Sequence, residues 1–171
     1  LKLASTDQDV IDRLSDISGP LRPGETFEPY LTAYPLPSRK YYVLARTWQD
    51  LDAPRAGCVL TRSLIVPMSD WATMTSPAGL LQWMMPITPN NLNVEPQNIK
   101  PSGETLPPVS DQRIAELFEA IFLESRQATV MFDVPEAEVI ALRLLSALWP
   151  ALRSNFSVCT FALSSRTLHE S

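Results

Sequence analysis

The side chains that could carry out chemistry are few in this sequence and far apart. His169 is the one histidine, and Cys58 and Cys159 are the two cysteines. A zinc site needs several such ligands at short spacings, and a Ser-His-Asp or Cys-His nucleophile needs a histidine within the fold. The glycine-rich phosphate-binding motifs are also absent from the sequence, which holds 5 scattered glycines. These features favour a protein that is not an enzyme and that has no metal or cofactor.

Charged residues beside the first predicted strand form the main candidate site. Arg46 and Arg62 each alternate with apolar residues in mid-strand, so a buried guanidinium would need a carboxylate, and Asp50 or Asp52 is the nearest in sequence to Arg46. A structural ion pair, recognition of an anion or peptide, and acid–base chemistry by the two aspartates remain open. The candidate interaction or anion-binding residues are Arg46, Trp48, Asp50, Asp52, Arg55 and Arg62.

A second candidate surface is rich in tryptophan and methionine. Both residue types occur in cores and at adaptable contact surfaces, so a core role and an interface role remain open. The candidate partner-facing residues are Trp71, Trp83, Met84 and Met85.

Composition excludes several classes of protein. The chain has 171 residues, 45% of them hydrophobic, which suffices for one core and predicts a single domain over 1–171. A net charge of −5 with scattered arginines argues against nucleic-acid binding. No apolar stretch approaches the ~20 residues of a membrane span, and no signal peptide is evident. Two cysteines in apolar runs indicate buried thiols, with a disulfide between neighbouring strands as the alternative, and a reducing cytoplasm fits best.

The N-terminal half predicts one helix and a hairpin. Asp7–Ile17 has apolar residues at helical spacing. Prolines predict that Gly19–Ser38 is an ordered but irregular loop. Alternation then predicts strands over Arg39–Trp48 and Ala56–Pro67, joined as an antiparallel hairpin.

Short helices and a long loop follow the hairpin. Ser69 is a predicted N-cap of one short helix, and Pro77 is predicted to begin another. Residues 86–110 contain six of the 16 prolines and no periodicity, which predicts a loop that is mobile or dependent on a partner.

The C-terminal part predicts a helix–strand–helix–strand unit similar to a βαβ arrangement. The predicted elements are a helix Asp111–Ser125 capped by Ser110, a strand Ala128–Phe132, a helix capped by Asp133 and Glu136 that ends at Pro150, and a strand Asn155–Leu163. The whole pattern predicts an α+β fold, with a mixed, mainly antiparallel sheet and helices packed on it.

Short motifs between Tyr30 and Pro67 carry a family resemblance. They include Tyr34-Pro35, Tyr41-Tyr42, Ala45-Arg46-Thr47-Trp48, Gly57, Val59-Leu60-Thr61 and Ser63-Leu64, and Leu148-Trp149-Pro150-Ala151-Leu152 follows later. In these motifs the chain resembles the N-terminal domain of the bacterial GTPase-associated protein family of NTP-dependent conflict systems. Arg62 stands where that family often has histidine.

The resemblance implies a cytoplasmic component of an anti-phage defence system that acts beside a GTPase or related NTPase. The expected role is a non-catalytic adaptor or sensor, and the chain is expected to be the N-terminal part of a longer protein. The alternative is an enzyme or small-ligand-binding domain with a groove lined by arginine and aspartate.

Overall fold

Four antiparallel strands form the sheet in the computed structural model, which describes residues 2–22, 24–55, 57–86, 106–108, 113–123 and 128–164. The strands are β1 (Tyr30–Pro35), β2 (Tyr41–Gln49), β3 (Val59–Pro67) and β4 (Val158–Cys159). Their order across the sheet is β3-β2-β1-β4, and every pairing is antiparallel. With the helices around it, this sheet confirms the predicted α+β fold.

Five α-helices and one 3₁₀ helix accompany the sheet in the described residues. They are α1 (Ser5–Leu14), α2 (Met68–Thr73), the 3₁₀ helix (Pro77–Trp83), α3 (Ile114–Phe122), α4 (Ala137–Ala147) and α5 (Pro150–Arg153). The predicted N-terminal helix, the helix at Pro77 and the helix before Pro150 are confirmed. The central part of predicted helix Asp111–Ser125 is confirmed as α3, and its cap Ser110 lies outside the described residues.

Two hydrophobic clusters cover the two faces of the sheet. On one face, Tyr42 and Leu44 of β2 pack with Trp71 and with Leu142 and Leu145 of α4. On the other face, the apolar side of α1, with Val10, Ile11 and Leu14, packs on Val43 and Ala45. Successive residues of β2 point to opposite faces, so this one strand contributes to both clusters.

The predicted β2–β3 hairpin is confirmed. Tyr41 pairs with Pro67 at one end and Gln49 with Val59 at the other, which places Arg46 opposite Arg62. The second strand begins at Val59 and not at Ala56, because the turn extends through Gly57, where φ is 84°. This positive φ suits glycine, since it has no Cβ to clash.

The expectation of an irregular loop over Gly19–Ser38 is wrong for its second half. Residues Tyr30–Pro35 form β1, which is fully buried and lies between β2 and β4. Pro29 precedes the strand and Pro35 is its last residue, so neither proline removes a hydrogen-bond donor from the middle of the ladder. Pairing with two neighbours therefore outweighed the local effect of the prolines.

The predicted strand Ala128–Phe132 is also wrong. These residues are irregular, and Phe132 is 76% exposed. Arg113 donates hydrogen bonds from its guanidinium to the carbonyl oxygens of Phe132 and Asp133, so a side chain satisfies the backbone here. Because the segment joins no sheet in the described structure, the predicted βαβ-like arrangement does not form.

Three predicted capping residues do not act as caps. Ser69 lies inside α2 and donates to the carboxylate of its neighbour Asp70. At the start of α4, Glu136 is in the left-handed region with φ 52°, and no side chain caps the helix. Asp133 is also left-handed, with φ 50°, so the chain cannot enter α4 by the geometry that a D-x-x-E cap requires.

The last predicted strand and the proline-rich segment are only partly represented. Within Asn155–Leu163, two residues form β4, which pairs with Thr32 and Ala33 of β1. Of residues 86–110, the structure describes 86 and 106–108, and the rest of the predicted loop lies outside the described residues.

Candidate functional site

An ion pair between Arg46 and Glu138 joins the sheet to a helix. Arg46 lies on the face of β2 that α4 covers, and Glu138 is in the first turn of α4. Arg46 donates from Nη2 to Oε2 of Glu138 at 3.0 Å, and both side chains are largely buried. The expected pairing of Arg46 with Asp50 or Asp52 is therefore wrong. The carboxylate comes from a helix 92 residues away, because α4 lies over this face of the sheet.

Arg46, Trp48 and Arg62 meet on the same sheet face as Glu138. Arg62 of β3 pairs directly with Arg46, so their side chains project from the same face. The guanidinium carbon of Arg46 lies 5.7 Å from the ring centroid of Trp48, which is within the range of a cation–π contact. We call Arg46, Trp48, Arg62 and Glu138 the arginine cluster.

Burial sets the electrostatics of the arginine cluster. Burial raises the pKa of Glu138 above its ordinary value, although the charge and hydrogen bond of Arg46 favour the ionised carboxylate. In the described structure, Nε of Arg46 and Oε1 of Glu138 are buried and make no hydrogen bond. The pair thus has one spare donor and one spare acceptor, which a bound group could satisfy only if the side chains moved.

The turn after β2 does not join the arginine cluster. The Asp52 backbone N–H donates to Oδ1 of Asp50 at 3.1 Å, and the Asp50 N–H donates to the Cys58 carbonyl at 2.9 Å. The first aspartate therefore stabilises its own turn, as is typical of aspartate in turns. Arg55 is exposed on the same turn. Among the described residues, no group of three or more His, Cys, Asp or Glu side chains could hold a metal ion.

Half of the predicted partner-facing residues belong to the core. Trp71 and Met84 are fully buried, so they cannot face a partner in this structure, and the expectation for these two is wrong. Trp71 stacks on Tyr42 with ring centroids 4.1 Å apart, and Met84 packs in the same cluster. Trp83 and Met85 are 39% and 57% exposed and remain available for contact. Met84, which lies between these two exposed residues in the sequence, points into the core just after the 3₁₀ helix ends at Trp83.

Arg153, a buried side chain with several hydrogen bonds in the described part of the chain, was not among the residues singled out from the sequence. It is 6% exposed and donates hydrogen bonds to the carbonyl oxygens of Ser146 and Leu148, at the end of α4, and of Met74, just after α2. The last carbonyls of a helix have no partner within the helix, and they carry partial negative charge. Arg153 therefore joins the C-terminal ends of two helices. Its position after the Leu-Trp-Pro-Ala-Leu motif was the available signal.

Aromatic residues near α3 form an exposed cluster that was also missed. Phe118 stacks on Phe122 at 5.8 Å, and Phe122 contacts Trp149 at 5.6 Å. The predicted apolar face of α3 exists, but none of its residues is buried.

Comparison with protein families connects the fold to a known domain. A family model described as GTPase-associated protein 1, N-terminal domain type 1, matches residues 1–84. Residues 1–84 resemble this GTPase-associated domain. The match confirms the resemblance first seen in the short motifs and extends from α1 to the end of the 3₁₀ helix.

Only part of the arginine cluster lies within the residues that match the GTPase-associated domain. Arg46, Trp48 and Arg62 lie inside the matched residues, whereas Glu138 lies beyond them. The match suggests an association with a GTPase system. No curated protein and no solved structure matches the chain. In the described part of the chain, none of the helices has the length and apolar character needed to cross a membrane.

Proposed function

We propose that this chain is a non-catalytic adaptor or sensor domain of a prokaryotic, GTPase-linked anti-phage defence system. In this role it binds a GTPase or related NTPase of the same system in the cytoplasm. The observation that carries the proposal is the match of residues 1–84 to the GTPase-associated protein 1 domain. The surfaces described above supply the contacts.

The chemistry of the arginine cluster suits recognition. A guanidinium donates hydrogen bonds in a fixed, planar arrangement that fits carboxylates and phosphates. Glu138 holds Arg46 in place from α4, and Trp48 adds apolar contact area beside it. Arg62 lies on the neighbouring strand, so the two guanidinium groups project from adjacent strands on the same face of the sheet.

Trp83 and Met85 supply an apolar contact at the end of the 3₁₀ helix. Exposed tryptophan and methionine are enriched in protein interfaces relative to other surfaces. Met84 between them is anchored in the core, so both exposed side chains have a fixed backbone. Tryptophan is enriched among the few interface residues whose truncation costs more than about 1 kcal/mol of binding free energy.

Affinity purification tests the proposal directly. The full-length protein is co-expressed with a GTPase of the proposed defence system and recovered with GDP or with a non-hydrolysable GTP analogue. We expect a complex whose recovery depends on the nucleotide. The double variant Trp83→Ala/Met85→Ala should weaken it about tenfold or more. The matched control is Leu51→Ala, which removes another apolar side chain, 75% exposed on the turn after β2, and should not affect recovery.

Two results would contradict the proposal. The first is a GTPase that does not bind the wild-type chain in either nucleotide state. The second is turnover of a small molecule by the purified chain that Arg62→Ala abolishes while the protein stays folded. This second result would favour the alternative, an enzyme or small-ligand-binding domain.

A further inference from the structure

The outer edge of β3 offers backbone groups to a further strand. At the two ends of the β2–β3 pairing, the backbone N–H of Asp50 donates to the carbonyl of Cys58, and that of Met68 donates to the carbonyl of Lys40. Hydrogen-bonded pairs alternate along an antiparallel ladder, so between these ends the even-numbered residues of β3 are the ones that bond to β2. The N–H and C=O groups of the odd-numbered residues of β3 therefore point away from β2. These residues are Val59, Thr61, Ser63 and Ile65. In the part of the chain that the structure describes, no strand pairs with this side of β3.

The edge is long and continuous enough to hold a strand. β3 has nine residues, as does its neighbour β2, and most of its side chains are half-buried. Pro67, which has no N–H, ends the strand, and so the usable edge runs from Val59 to Ile65. Exposed edges of this length usually pair with another chain or are protected by charge.

Charge on this edge disfavours pairing with a second copy. Arg62 lies midway along the stretch from Val59 to Ile65 whose odd-numbered residues have outward-pointing backbone groups. An antiparallel pairing of two copies that uses all four outward positions would place Arg62 of one copy directly opposite Arg62 of the other. Arg46 lies behind Arg62 on the same face, so four guanidinium groups would form one row across the two sheets. Like charges directly opposite each other destabilise such a pairing.

We propose that the outer edge of β3 binds an extended acidic segment of a partner protein as a fifth strand, with a carboxylate opposite Arg62. On the outer side, the position opposite Arg62 is not hydrogen-bonded, and side chains come closest at such positions. A carboxylate there faces the guanidinium of Arg62 and lies on the face that carries Arg46. Backbone hydrogen bonds supply affinity, and the charge sets the preference, as in other cases of strand addition. That the partner is the GTPase rests on the function proposed above.

Two synthetic peptides test the charge preference. Each has nine residues, alternating valine and threonine, with either glutamate or lysine at the centre, and is titrated into the full-length protein by NMR. The glutamate peptide should bind about tenfold more tightly than the lysine peptide. It should slow hydrogen exchange of the Thr61, Ser63 and Ile65 amides, whereas amides that already pair with β2, such as that of Leu64, serve as the internal reference.

Two variants separate backbone pairing from charge. Ser63→Pro removes one outward N–H and leaves the bonds to β2, so it should abolish peptide binding, while Ser63→Thr should retain it. Arg62→Glu leaves the backbone unchanged and should reverse the preference, so that the lysine peptide binds better. If Ser63→Pro does not fold, the reversed peptide preference of Arg62→Glu still tests the proposal.

Several outcomes would overturn the proposal. They are equal affinity for both peptides, a preference that Arg62→Glu leaves unchanged, or protection confined to amides outside β3. Sedimentation showing a wild-type dimer that Ser63→Pro makes monomeric would identify a second copy as the occupant and would also overturn it.

The proposal and the proposed function can fail separately. A GTPase that binds wild-type protein and Ser63→Pro equally well contradicts the edge as its docking site and leaves the proposed function intact. Peptides that behave as expected, with a GTPase that never binds, support the edge and contradict the proposed function.

Discussion

Replacing Arg153 with methionine should destabilise the fold more than any surface change. The guanidinium is 6% exposed and bonds the carbonyl oxygens of Ser146 and Leu148 at 3.1 and 2.9 Å, together with the carbonyl of Met74. Burial lowers the pKa of Arg153, and the neighbouring Tyr42 partly offsets this. Methionine fills similar space but offers no donor.

The size of the effect follows from the carbonyls left behind. A buried acceptor that loses its partner costs about 1–3 kcal/mol, and four carbonyls lose one here, because that of Trp71 also accepts from Arg153 at 3.5 Å. Removing a buried charge returns part of this cost. We expect a net loss of about 3–5 kcal/mol in the free energy of unfolding. Arg153→Lys keeps the charge but cannot span both helix ends, so about half of this loss should remain.

Urea unfolding of the full chain, followed by tryptophan fluorescence, measures this loss. Trp71 stacks on Tyr42 and donates to the Arg153 carbonyl, so its emission reports on this region. With a slope of about 2 kcal/mol per molar urea, the midpoint should fall by about 2 M for Arg153→Met. Arg22→Met is the control, because Arg22 is exposed and its 4.0 Å contact with Glu25 is a surface pair of little value.

A urea midpoint for Arg153→Met that matches that of Arg22→Met would contradict this stabilising role of Arg153. That result would mean that the helix-end carbonyls find other partners, and Arg153 would not be what joins α2 to α4.

Other predictions concern single residues of the sheet and α4. Burial raises the pKa of Glu138, so the folded state holds that proton more tightly than the unfolded state does. The stability of wild type relative to Glu138→Gln should therefore grow as pH falls from neutral towards the ordinary value of 4.5, and urea midpoints that diverge in the opposite direction would contradict this. Thr61→Val removes hydroxyl bonds to the Ser15 carbonyl at 2.6 Å and to Thr47 at 2.9 Å, which should lower the free energy of unfolding by about 1–2 kcal/mol, and an unchanged thermal midpoint would exclude a role for these bonds. Glu136→Gly relieves a left-handed residue with φ 52° and should raise stability by about 0.5–1 kcal/mol, whereas a loss would show that the glutamate makes a compensating contact.

The sequence predicted the parts of the fold that depend on local pattern. The β2–β3 hairpin has strict alternation and a short turn, and α1 and α4 have apolar residues at helical spacing. The strand β1 was missed because of its flanking prolines, and it forms because it pairs with β2 and β4 and is buried between them. In Ala128–Phe132 the opposite error occurred, since an apolar run predicts a strand only if a neighbour is available to pair with it.

The candidate site was predicted only in part, because its contacts are distant in sequence. Arg46 and Arg62 share a face, which follows from their places on paired strands. The carboxylate partner Glu138 could not be found by proximity in sequence. The contacts of Arg153 could not be found from the motif before it, since its acceptors are backbone carbonyls at the ends of two helices.

The measurement that tests the proposed function most directly is the affinity of the full-length chain for a GTPase of the proposed defence system. Isothermal titration with GDP and with a non-hydrolysable GTP analogue gives this affinity for wild type, Trp83→Ala/Met85→Ala and Leu51→Ala. We expect saturable binding whose affinity depends on the nucleotide. The double variant should weaken this binding about tenfold or more, and Leu51→Ala should leave it unchanged. Absence of binding in both nucleotide states would contradict the proposed function.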